Sequence, residues 1–112
     1  MLATLTRLVS VHFEVVGAVR DAVAVLREAR RLHPDVVVLE IFMPVIDGFA
    51  VGRQIKREFP HTRLIYVTLD PDPRLNAEAM RIGAFALVPK ASAVRQLPDA
   101  IRRAMAETKA AT

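Results

Sequence analysis

No cysteine occurs in the 112 residues, which excludes disulfides, thiolate zinc sites and cysteine nucleophiles. Tryptophan is absent as well, and five Phe and one Tyr are the only aromatic residues. The core of a chain that is 53% hydrophobic must therefore be aliphatic, built from Val, Leu, Ile and Ala. No apolar run approaches the ~18 residues of a membrane span. The opening segment, MLATLTRLVS, lacks the charged start, apolar block and small-residue cleavage site of a secretion signal. His12, His33 and His61 lie too far apart for a local metal motif and read as surface or loop residues near element boundaries. These absences predict one cytoplasmic domain with a modest core and no membrane partner.

Charge of one sign does not dominate: sixteen Lys and Arg stand against twelve Asp and Glu, a net charge of +4. The basic residues fall in separate groups, Arg27/Arg30/Arg31, Arg53/Lys56/Arg57 and Arg102/Arg103, each on a segment with helical patterning. Such groups read as solvated helix faces. A nucleic-acid site requires a continuous basic stripe and a docking element, so this segment is expected to make no direct contact with nucleic acid.

What is present is a regular alternation of elements. Residues 13–19, FEVVGAV, are a first strand candidate. Asp21 can cap a helix in which Ala22, Val25, Leu26, Ala29 and Leu32 recur at helical spacing, stopped by His33-Pro34. DVVVLE at 35–40 contains a continuous apolar run, the pattern of a strand buried on both faces. Asp47 can cap a second helix carrying Val51 and Ile55 and ended by Pro60. RLIYVT at 63–68 is rich in β-branched and aromatic residues and reads as a strand. Asp72-Pro73 marks a helix start and Gly83 its left-handed stop. Residues 84–88 form a short last strand. Val94, Leu97, Ile101 and Met105 trace a terminal helix whose first turn Pro98 should tighten or kink, with a frayed tail at 109–112. Each strand is followed by a helix, so the fold class is α/β: a parallel sheet with right-handed crossovers, wrapped by helices.

Glu40, Thr68 and Lys90 end three successive strands. In a parallel sheet those ends share one edge, where open α/β folds place their functional groups. A carboxylate, a hydroxyl and an ammonium converging there suit a phosphoryl group. With Met43-Pro44, Asp47-Gly48 and Gly83-Ala84 at their spacings, the segments PDVVVLEIFMPVIDG (34–48), LIYVTL (64–69) and GAFALVPKAS (83–92) resemble the receiver domain of bacterial two-component response regulators. The resemblance covers most of residues 13–105 and looks most like receivers that carry a helix-turn-helix output domain. It implies a flavodoxin-like, doubly wound parallel sheet. It places Glu40 at the phosphoacceptor position, makes Thr68 and Lys90 the family's hydroxyl and lysine, and makes the backbone carbonyl of Phe42 a magnesium ligand.

Four departures shape the expected function. The family's acceptor is Asp, whereas Glu40 reaches one methylene, about 1.5 Å, further towards Lys90. Its standing charge either imitates part of the phosphorylated state or forms a static pair with Lys90, and the sequence leaves both open. Second, the family's first strand carries an acidic pair that binds Mg2+, and no such strand is visible here. Before FEVVGAV, Leu2, Leu5 and Leu8 or Val9 have helical spacing, like the back half of the family's first helix. Glu40 and the Phe42 carbonyl are too few oxygens to hold Mg2+ well, so no cofactor is expected, and phosphotransfer leans on that ion. Third, Leu87 stands where the family places a Tyr or Phe that moves with Thr68. Fourth, Pro89 precedes Lys90, whereas many relatives have proline after it.

In the family's strand order, 2-1-3-4-5, the strand expected to be missing is an interior one, the shared neighbour of the strands at Phe13 and Val36. The gap would close, or another chain would fill it by self-association through the exposed sheet. Alternatively the start codon was placed too late and the protein begins about a dozen residues upstream, a strand length earlier. The leading expectation is a degenerate receiver, a single domain at 1–112 that works as an interaction module and not as an enzyme. Its partners would be a histidine kinase or another signalling protein, engaging the face around the fourth strand, helix 74–82 and the last strand. A working receiver shortened by a late start is the alternative. A small doubly wound nucleotide- or flavin-binding enzyme is a third reading, for which GAVR at 17–20 is a poor substitute for a Gly-rich loop.

Overall fold

The computed structural model describes residues 22–43, 46–70 and 72–111. The strand candidate at 13–19, the Asp21 cap, the helical spacing at 2–9 and the question of a missing first strand all fall outside them.

Helix α1, Ala22–Leu32, turns Val25, Leu26 and Ala29 into the core and leaves Arg27, Arg30 and Arg31 exposed. It stops where the sequence says, at His33, which adopts a left-handed backbone (φ 47°) while its N–H still bonds the Ala29 carbonyl. Strand β1, Val36–Glu40, runs parallel to β4, Arg63–Thr68, in a register from Val36 opposite Arg63 to Glu40 opposite Val67. Strand β5, Ala86–Pro89, lies parallel on the other side of β4, with Thr68 opposite Pro89. Between β1 and the next helix, β2 (Phe42–Met43) and β3 (Ile46–Asp47) pair antiparallel as a small ribbon that the apolar pattern does not announce.

The helix caps follow local chemistry. Asp47 accepts a hydrogen bond from the Phe49 N–H and opens α2, Gly48–Glu58. Asp72 accepts from the Arg74 N–H with Pro73 at the first helical position of α3, Pro73–Ile82, and Gly83 closes that helix at φ 101°. A 3-10 turn, Lys90–Ser92, then leads into α4, Ala93–Ala111.

Because successive residues of a strand face opposite ways, β4 divides the core in two. Leu64 and Tyr66 join Val25, Leu26, Leu39, Val51, Ile55 and Ala79, beneath α1, α2 and α3. Ile65 and Val67 join Val88, Leu97, Ile101 and Ala104, beneath α4.

Four details differ from the sequence expectation. Val36, Val37 and Val38 are half-buried and not fully enclosed, because β1 is an edge of the sheet that the described residues form. The last strand begins at Ala86, since Gly83 and the two residues after it make the turn into it. Pro98 lies inside α4, with neither the expected tight first turn nor a break at that point: the tight turn comes earlier, at Lys90–Ser92. Helix α4 continues through Ala111, so most of the tail expected to fray is helical. Among the described residues no helix is long and apolar enough to cross a membrane.

Candidate functional site

The parallel register brings the ends of β1, β4 and β5 to one edge. Glu40 is the last residue of β1 and Thr68 the last of β4. Lys90 follows Pro89, whose extended backbone (φ −62°, ψ 136°) hands the chain into the 3-10 turn. The Lys90 ammonium stands 3.6 Å from Oε1 of Glu40, and the two side chains are only 16% and 12% exposed. Among the described residues neither Nζ nor Oε1 has a hydrogen-bond partner. They face each other as bare charges, beyond the 2.7–2.9 Å typical of a charge-assisted bond. At this separation the attraction amounts to about 5 kcal/mol at an effective dielectric constant near 20, offset by several kcal/mol for desolvating each ion.

Thr68 is buried, at 3% exposure. Its hydroxyl accepts from the Asp70 N–H (3.2 Å) and donates to the Asp70 carbonyl (3.3 Å). It therefore reaches the shared edge with its hydroxyl bonded to its own loop. Leu87 sits opposite Tyr66 in the β4–β5 register and packs, half-buried, against the cluster under α1–α3. Phe42 lies in β2, its backbone opposite Asp47.

Lys90 already neutralises the Glu40 carboxylate, the Asp47 carboxylate is used as a helix cap, and no cluster of three His, Cys, Asp or Glu able to hold a metal occurs among the described residues.

One feature of the site's surroundings escaped sequence reading. The Tyr66 hydroxyl, fully buried, donates to the Gly48 carbonyl at 2.7 Å, and the Phe49 ring meets the Tyr66 ring edge-on at 5.3 Å. Burial raises the phenol pKa above its ordinary range; the nearby Asp47 carboxylate adds to that, Arg53 opposes it and Glu78 reinforces it. The signal available in the sequence was a glycine, Gly52, inside a helix pattern, together with a lone Tyr in an aliphatic strand. The basic groups, by contrast, behave as expected of solvated faces. Arg30 bonds Glu58 between α1 and α2, and Arg53 pairs with Glu78 between α2 and α3.

A parallel sheet between helix layers, with polar residues gathered at its carboxyl edge, defines an α/β domain of the doubly wound kind. Residues 1–102 match the response regulator receiver domain, and the chain belongs to that family. It is 35% identical to protein-glutamate methylesterase/protein-glutamine glutaminase 4 of Myxococcus xanthus, a match covering 85% of this chain and 30% of that protein. It is 29% identical to the response regulator GacA of Pseudomonas viridiflava, over 80% of this chain and 42% of that one. The chain thus spans less than half the length of these relatives. A response regulator receiver domain protein from Clostridium thermocellum superposes with a TM-score of 0.89 at 26% identity, covering 99% of this chain and 90% of that one. The receiver fold and its signalling class, expected from the strand-end residues, therefore hold.

Proposed function

We propose that this receiver is degenerate: a two-component signalling module that works through protein contacts, with Glu40 at the acceptor position closed off by Lys90. The observation that carries this reading is the ion pair at 3.6 Å, with both side chains largely enclosed. Phosphoryl transfer requires a free acceptor oxygen and a cation to neutralise the transferring group. Here the carboxylate already has its counter-charge, and the described residues supply no cluster of acids for a metal. Thr68 adds support, since its hydroxyl is engaged by the Asp70 backbone as both donor and acceptor.

On this reading the Glu40–Lys90 pair holds the site in one charge arrangement, and a histidine kinase or another signalling protein reads the surface without a phosphorylation cycle. The test is incubation of the purified chain with acetyl phosphate and Mg2+, followed by intact-mass measurement and acid treatment. No phosphate should be retained. An adduct of one phosphate that maps to Glu40, Asp35 or Asp47 would overturn the proposal in favour of a working receiver.

A further inference from the structure

We infer that Tyr66 is a positioning residue, a latch that fixes the backbone around the Glu40 site through the Gly48 carbonyl. The inference deepens the degenerate-receiver reading and rests on it for its functional meaning.

Gly48 is pressed against the residue that carries the site carboxylate. A Cβ placed there would lie 2.3 Å from the Glu40 carbonyl oxygen and 2.7 Å from that of Ile41, both backbone atoms with no room to yield. The Gly48 N–H donates to the Ile41 carbonyl at 2.9 Å, which closes the loop that holds β2 and β3. The first turn of α2 and the end of β1 are thus packed backbone to backbone. Tyr66 fastens that junction to the central strand, donating to the other side of Gly48 at 2.7 Å from a fully buried position.

Gly52 shows that the space for this bond is built in. Glycine is unfavourable inside a helix, yet a Cβ at Gly52 would lie 1.9 Å from the Tyr66 hydroxyl oxygen, nearer than Leu64 Cδ2 at 2.8 Å and the Tyr66 Cζ at 2.9 Å. In the α-helical pattern the Gly48 carbonyl also serves the Gly52 N–H, and its two lone pairs allow both bonds. Tyr66 and Thr68 lie on the same face of β4, two residues apart. The strand that ends in Thr68 is therefore tied directly to the loop that follows Glu40. The latch presets the edge on which Glu40 meets Lys90, with no phosphoryl group required to organise it.

The test uses the whole 15N-labelled chain and the conservative variant Tyr66→Phe, which removes only the hydroxyl. Amide exchange at Gly48, Phe49 and Gly52 should accelerate about fivefold relative to the amides of α4, the factor expected for one net hydrogen bond. The Lys90 15Nζ resonance should move. Equal acceleration throughout the chain, or none, would reduce Tyr66 to an ordinary core residue and overturn the latch. Local acceleration with an unmoved Lys90 resonance would overturn its link to the site. A second readout is rescue. Gly52→Ala should lower the urea midpoint more beside Tyr66 than in the Tyr66→Phe background, where Leu64 Cδ2 and the ring Cζ still crowd the added methyl, whereas equal losses would refute the steric pairing. Phosphate uptake in the donor experiment would remove the degenerate-receiver reading and leave these measurements standing. A flat exchange profile without phosphate uptake would remove the latch alone.

Discussion

A carboxylate and an ammonium 3.6 Å apart, enclosed to the same degree, stabilise one another more than they stabilise the fold. Their attraction offsets a desolvation cost of similar size, so the pair adds little net stability, while removal of one partner strands the other. This asymmetry separates a static pair from a dispensable surface contact. Glu40→Gln leaves the Lys90 ammonium without a counter-charge, and the expected loss is about 1–3 kcal/mol, below the fully buried case because roughly a sixth of the lysine side chain still meets solvent. Replacing both residues with methionine should return the stability to within about 1 kcal/mol of the parent. Urea unfolding of the three proteins at neutral pH measures this. Raising the salt to 1 M should leave the differences largely intact, since enclosed charges are weakly screened. If Glu40→Gln unfolds at the parent midpoint, the pair is not the constraint on the site that its geometry indicates.

Between elements, ion pairs join helices that the sequence shows only as separate basic segments. Arg30 holds Glu58 across α1 and α2 through two hydrogen bonds, of 2.9 and 2.6 Å. The Arg30 side-chain hydrogen bond depresses the Glu58 carboxyl first, the Gln54 amide second, to about 2 against an ordinary 4.5. A carboxylate whose folded value is depressed contributes stability that is complete above its unfolded value and is lost as pH falls through the folded one. The α1–α2 link should therefore hold at pH 5 and fail between about 4.5 and 2. The Glu58 carboxyl 13C shift should titrate near the lower end of that window, and Glu58→Gln should flatten the acid limb of stability. A Glu58 midpoint near 4.5 would show that the link does not persist in solution. What the sequence revealed at this scale was local: Asp47, Asp72-Pro73 and Gly83 act within a turn or two of their own positions, and each works as read. The β2–β3 ribbon was not legible because strands of two residues carry no periodicity, and the Tyr66–Gly48 bond was not because it depends on residues brought together by the fold. At the site, Glu40, Thr68 and Lys90 could be placed on one edge from strand ends alone. That Thr68 turns to Asp70 while Lys90 turns to Glu40 could not, since side-chain direction is decided by the loops that follow each strand.

For the molecule as a whole, β4 is the common wall of two cores. Leu64 and Tyr66 face one side, Ile65 and Val67 the other, and all four are essentially inaccessible to solvent. Ile55 of α2 fills the first core and Leu97 of α4 the second, each at 0% exposure. Truncating either to Ala removes buried methyl groups and leaves a cavity, at a cost of about 2–5 kcal/mol, a large part of the 5–15 kcal/mol typical of a domain. The two sites sit in separate clusters on opposite faces of the sheet, so their costs should add to within about 0.5 kcal/mol. Because both cores lean on the same strand, neither can melt alone without exposing one face of β4. Each single variant should therefore shift the urea midpoint with an unchanged slope, monitored by Tyr66 fluorescence for one core and by far-UV circular dichroism for the whole. A biphasic transition in the Leu97→Ala protein, with α4 lost before the Tyr66 signal changes, would mean that the helix layers on the two faces of β4 unfold as separate units.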